Sequence, residues 1–216
     1  MYFNKQKTMS VISKLASSLN RRDEAPNVEL AIAIAEKGDK GAVKELIDNL
    51  QNAGKDIQHD CIKVIYETGE RKPELISPYA KEIIRQLDSK SNRMQWGAMT
   101  AVSFIVSENP QIVYAALPKI IDIADKGSVI TKDYAVNILI KLTAVKKYSK
   151  EAFNLLIHQL KISATTQMPM YAERALPVIT AENKELFVKT LQGRLNDVEK
   201  ETKRKRIEKV INKLKK

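Results

Sequence analysis

A chain of 216 residues can bury one substantial core or a short array of repeats. With 44% hydrophobic and 29% charged residues, seven glycines and seven prolines, its composition excludes collagen-like and disordered classes and favours helices. The formal charge is +11, the single Cys61 excludes an internal disulfide, and no run approaches the roughly 18 consecutive apolar residues of a membrane span.

The first segment, "MYFNKQKTMSVISKLASSLNRR", has no apolar core of the kind a secretory signal requires, so a cytoplasmic location is expected. It is basic and serine-rich like a transit peptide, but Met9, Ile12, Leu15, Ala16 and Leu19 recur at a spacing of three to four residues and predict a first core helix.

Beyond it, one pattern returns. "CIKVI" (61–65), "AMTAV" (98–102), "AVNIL" (135–139) and "AERAL" (172–176) align so that Cys61, Ala98, Ala135 and Ala172 stand 37 residues apart. Weaker copies are "LAIAI" (30–34) and "IEKVI" (207–211). A small residue followed by apolar ones at i+3 and i+4 makes one helical face that a neighbouring helix can approach closely. Between the copies lie "AVKELIDNL", "LISPYAKEIIRQL", "IVYAALPKIIDIA", "EAFNLLIHQL" and "ELFVKTLQGRL", each predicting a first helix antiparallel to the second helix that follows. Gly38, Gly54, Gly69 and Gly127 suit helix C-terminal caps, and Asn109-Pro110 suits an N-cap followed by a first-turn proline. No run has the period-2 alternation of a strand; "SVIT" (128–131) reads as a turn-to-helix junction.

This pattern resembles the HEAT repeat family of α-solenoids. The resemblance rests on Pro78 and Pro118 within first helices, Asp88 in the turn after "IIRQL", and Ala98 and Ala135 at the small position. Lys132 matches the basic residue usual near the start of the second helix, whereas Gln95 and Pro169 depart from it. The period near 37 speaks against armadillo and tetratricopeptide arrays. The resemblance implies an all-α fold, a right-handed α-solenoid of five to six antiparallel HEAT-like pairs. The expected organisation is one domain, 1–216, with pairs at 9–38, 39–70, 73–109, 110–147, 148–182 and 183–216, the last a basic cap.

At 100° per residue, positions two before and two after the small residue point away from its column. Applied to every copy, this gives His59 and Lys63, Trp96 and Thr100, Asp133 and Asn137, Met170 and Arg174, and Lys205 and Lys209. Second helices line the concave face of solenoids, so these ten residues form a candidate binding strip. The competing reading makes the sole tryptophan, Trp96, inter-repeat packing.

Charge is uneven along the chain. Residues 1–22 carry five basic and no acidic side chains, residues 183–216 carry twelve against five, and residues 23–182 net −1. In "EKETKRKRIEKVINKLKK" the stripe Ile207, Val210, Ile211 and Leu214 predicts a capping helix with a solvated basic face.

No catalytic motif stands out. His59, Asp60 and Cys61 are consecutive and diverge on a helix, and His158 has no second ligand at metal spacing. No metal, cofactor or catalytic residue is assigned, and a monomer is expected. The sequence favours a non-enzymatic scaffold or adaptor that binds a protein partner along its second helices. The alternative is a nucleic-acid-associated solenoid using its basic ends. Its enzymatic variant follows the resemblance to HEAT-like glycosylases of alkylated DNA bases, with Trp96 as aromatic wall, Asp133 as acid, and Arg174 or Lys63 on phosphates.

Overall fold

The computed structural model describes residues 10–215. Every regular element among them is helical, and the chain divides into two compact units, Met1–Thr131 and Lys132–Lys216.

The first unit opens with a 3-10 turn, Val11–Lys14, followed by α1 (Ala25–Lys37), α2 (Lys40–Asn52) and α3 (Lys55–Arg71). Then come α4 (Pro73–Ile76), α5 (Ala80–Arg85), α6 (Asn92–Ile105), α7 (Pro110–Ala115) and α8 (Leu117–Lys126). α9 (Val129–Thr143) begins as the unit ends. The second unit holds α10 (Ser149–Ile162), α11 (Met168–Ala175), α12 (Lys184–Arg194) and α13 (Glu201–Lys215).

α3 is the spine of the first unit, packed on its pair mate α2 and flanked by the second helices α1 and α6. In the second unit α11 packs on α13, and α12 bridges α10 and α13. The 37-residue register is borne out by burial, since Cys61, Ala98, Ala135 and Ala172 are all fully buried. So are Val64, Ile65, Ala101, Val102, Ile138, Leu139 and Ala175 along the same faces. The stripe of α13 is buried at Ile207, Val210 and Ile211, as a capping helix requires.

Both first helices that carry an internal proline are broken there. Pro78 lies in a 3-10 turn, Ser77–Tyr79, between α4 and α5, and α7 gives way to α8 just before Pro118. Proline lacks the N–H and crowds the carbonyl four residues back. At the first break the Ser77 hydroxyl donates to the carbonyl of Glu74, the group that Pro78 leaves without a helical donor.

Several expectations need correction. The first core helix is replaced by the 3-10 turn and a series of turns, and Leu19 is 49% exposed although Leu15 and Ala16 are buried; Met9 lies outside the described residues. Side chains take the backbone donors that a helix would have used. The N–H of Ala16 donates to Asn27 Oδ1 at 2.9 Å and that of Ser17 to Asp60 Oδ2 at 2.7 Å. Asn27 Nδ2 donates to Asp60 Oδ1 at 2.8 Å, which closes a buried network tying the segment to α1 and α3.

Of the four predicted capping glycines, Gly38 ends α1 in the left-handed conformation at φ 65° and Gly127 ends α8 with extended geometry. Gly54 precedes α3 as its N-cap, and Gly69 lies inside α3, where a Cβ would stand 2.3 Å from Ile76 Cδ1. Asn109 does precede Pro110 at the start of α7, but its side chain donates to the Ser77 carbonyl at 2.7 Å instead of capping the helix. Ser128 does cap α9, its hydroxyl accepting from the N–H of Thr131 at 3.3 Å.

Candidate interaction face

On the second helices of the first unit, His59 is half-buried and its Nε2 lies 2.9 Å from the Ser91 hydroxyl. Burial, with Arg93 and Lys55 nearby, lowers its pKa and favours the neutral ring. Lys63 is 8% exposed, which corrects the expectation that it stands open on the strip. Its ammonium lies 2.8 Å from Glu67, 3.0 Å from Glu24, and 4.9 Å from the centre of the Tyr66 ring. Burial works against its charge, but these partners outweigh burial and raise its pKa above the ordinary lysine value.

Trp96 is half-buried, its ring centre 5.6 Å from that of Tyr66 at a tilt of 53°. It therefore packs across α3 and α6 while keeping part of its ring in solvent, combining features of both sequence readings. Thr100 is 2% exposed, with its hydroxyl donating to the Trp96 carbonyl at 2.8 Å, and belongs to the packed side. α3 lies between α1 and α6, so a residue pointing off its core column meets a neighbour before it meets water. A cleft of about 520 Å³ is walled by Arg21, Asp23, Glu24, His59, Asp60 and Arg93, and Trp96 is not part of its wall. Its charges are largely paired, Arg21 with Asp23 and Arg93 with Glu24, each at 2.8 Å.

In the second unit, strip residues form rungs between successive second helices. Tyr171 donates its hydroxyl to Asp133 at 2.6 Å, and Arg174 donates to the side-chain Oδ1 of Asn137 at 3.2 Å. Burial, then the adjacent Asp133 carboxylate, raises the Tyr171 pKa well above the ordinary phenol value. One step further, Arg206 grips Glu173 with two hydrogen bonds of 2.8 and 2.6 Å, which lower the glutamate pKa. Met170 is half-buried beside these rungs, while Arg174, Lys205 and Lys209 are exposed. Lys205 is loosely paired with Glu201 at 3.5 Å.

The sequence reading missed the partners that fix this face. Lys63, Glu67 and Arg71 at successive i+4 positions were a visible ion-pair signal. Tyr171 and Asp60 each sit one residue before the small column, a position that the strip does not include. Among the described residues no group of three His, Cys, Asp or Glu side chains is placed to hold a metal ion, and no helix is long and apolar enough to cross a membrane.

No protein-family model matches the sequence, and no curated protein matches it. Solved structures do match the fold. A designed armadillo repeat protein in complex with the peptide (KR)4 is 17% identical over 89% of this chain and 90% of that one, with a TM-score of 0.67. The chain folds as an α-solenoid of HEAT/armadillo type. A second designed armadillo repeat protein (16% identical, 94% and 99% covered, TM-score 0.64) and an engineered protein (18%, 96% and 97%, 0.64) agree. At these identities the likeness concerns fold alone. The proline breaks give a physical reason for it despite the period near 37, because in the two repeats that carry them they divide the first helix and leave three helical pieces.

Proposed function

We propose that the protein is a non-enzymatic scaffold that takes a partner polypeptide along its second helices. The observation that carries this reading is the strip's division of labour. Rungs such as Tyr171–Asp133 and Lys63–Glu24 spend their polar groups on holding the helices, while Trp96, Met170, Arg174, Lys205 and Lys209 keep surface in solvent. A surface locked before contact loses little entropy on binding, and a part-exposed aromatic or Met beside Arg is the usual composition of an energetic anchor. One similar fold holds a polypeptide, the (KR)4 peptide of the designed armadillo protein.

The nucleic-acid alternative has one observation in its favour. Residues 132–216 carry 19 basic and 9 acidic side chains, a net of +10, against 18 and 17 in residues 1–131. In the base-excision variant Asp133 is the acid, yet its carboxylate already accepts the Tyr171 hydroxyl.

Two assays separate the readings. Proteins captured on the immobilised chain should be lost with Trp96→Ala and Arg174→Glu and retained with Lys126→Ala, an exposed change on the first helix α8. Duplex-DNA affinity that falls steeply with salt, with capture indifferent to those substitutions, would decide for nucleic acid.

A further inference from the structure

A groove on the first-helix side of the second unit has the makings of a second docking site. It lies between α10 and α12, encloses about 410 Å³, and is lined by Lys161, Leu186, Lys189, Thr190, Gly193 and Arg194. Leu186 is 43% exposed, and Ile162, next to Lys161, is 54% exposed. Leu186 is thus a large aliphatic side chain standing open in the concavity, and exposed apolar surface of this sort marks interaction sites.

The polar residues of the groove differ in what they have left to offer. Thr190 is satisfied by the Leu186 carbonyl at 2.8 Å. Arg194 is engaged by four hydrogen bonds, donating to the carbonyls of Leu160, Lys161 and Ser163 at 2.6 to 3.1 Å and to Asp197 at 2.6 Å. It ties α12 to the end of α10 and is a wall of the groove. Lys161 and Lys189 are exposed and form no ion pair among the described residues, so the free charge of the rim is positive.

Gly193 points the same way. A Cβ built on it meets nothing within 4 Å, so packing inside the protein does not require glycine there. Glycine is the poorest helix former after proline, and its place in α12 weakens the helix without relieving any clash. A large side chain at this position would stand in the open space of the groove that Gly193 lines.

We propose that this groove docks an acidic segment of a partner protein that carries an aliphatic side chain. The aliphatic group meets Leu186 and lies over Gly193, and carboxylates on either side meet Lys161 and Lys189. The volume suits a few side chains. A second copy of this chain is disfavoured, because a two-fold contact through this patch would set its lysines against each other. The site is separate from the second-helix strip and stands or falls independently of it.

The test uses the full chain and a fluorescein-labelled synthetic peptide of repeated Asp-Glu-Leu, read by fluorescence anisotropy. The wild type should bind it in preference to peptides of repeated Lys-Arg-Leu or Asp-Glu-Ser. Lys161→Glu with Lys189→Glu should weaken binding at least about ten-fold. Gly193→Leu should do the same by filling the groove, with an undiminished helical signal and melting temperature. Arg174→Glu and Trp96→Ala should bind the peptide as the wild type does. The proposal is overturned by no binding to the wild type, by full binding to folded Gly193→Leu, or by equal loss in Arg174→Glu. It is also overturned if the groove variants lose self-association in sedimentation, or lose binding to phosphatidylserine vesicles while peptide binding persists.

Discussion

The same substitution, Gly→Ala, should have opposite effects at two helical positions of this protein. At Gly97 in α6, an added Cβ would stand 2.9 Å from Ile62 Cγ1 and 3.2 Å from Ile62 Cγ2. Relaxed carbon contacts begin near about 3.5 Å, so roughly half an ångström must be found. Ile62 is 1% exposed, and both clashing atoms branch from a Cβ fixed on α3, with one preferred rotamer in a helix. The displacement therefore falls on the α3–α6 spacing. Overpacking of this kind costs about 1 to 3 kcal/mol, while Ala for Gly returns at most about 1 kcal/mol of helix propensity. Gly97→Ala should then be destabilising by about 1 kcal/mol net. Gly193→Ala meets no neighbour and should be stabilising by up to about 1 kcal/mol. For a chain of this size the two variants should melt about 4 to 8 °C apart. Thermal and urea unfolding followed by circular dichroism decide the matter; where two transitions resolve, Gly97→Ala should move that of the first unit and Gly193→Ala that of the second. A Gly97→Ala protein as stable as the wild type would refute the close approach of α3 and α6.

Three further outcomes are expected. Asn27→Leu removes both the acceptor for the Ala16 N–H and the donor to Asp60, and should cost about 1 to 3 kcal/mol in urea unfolding; a neutral result would mean that the network contributes nothing. Burial, with Asp60 and Glu45 nearby, pushes the Cys61 thiol up to about 12, so the native protein should resist iodoacetamide at pH 8 and react only when unfolded. For Glu67, burial raises the pKa, but the hydrogen bonds from Lys63 and Arg71 outweigh it and hold the carboxyl below the ordinary glutamate range in the folded state. A carboxylate lowered in this way contributes stability that is present above its unfolded pKa and lost as pH falls through the folded one. Glu67→Gln should flatten the acid limb of a stability-against-pH curve, and an unchanged limb would contradict the pairing.

The helical class and the buried column were legible because they depend on periodicity within single segments. Cys61, Ala98, Ala135 and Ala172 are small where another helix passes, and that requirement is written at every copy. The segment around Leu15 misled for a related reason. Its apolar spacing suits a helix, but the side chains that claim its backbone, Asn27 and Asp60, lie 11 and 43 residues away. Local pattern carries no trace of such partners. The strip was half legible. Helical geometry gives a side chain's direction relative to its own helix, and Thr100 and Lys63 were buried by neighbours that this geometry does not include. Pro78 and Pro118 were correctly placed within first helices, though the break each one makes shows only in the backbone.

The stitching of the opening segment bears on how the protein can be shortened. Ser10 and the N–H of Val11 reach the Glu45 carboxylate, and Ala16 and Ser17 reach Asn27 and Asp60, so residues 10–17 are held by three different helices, α1, α2 and α3. A boundary drawn at Ala25, where the first α-helix starts, would look natural and would be a poor choice. It would strip Leu15 and Ala16 from the edge of the stack and strand an amide and a carboxylate facing a newly opened apolar flank. Such a fragment should aggregate or recruit a foreign strand or helix to that edge. The irregular opening stretch is thus the lid on the first repeat, as α13 is the lid on the last.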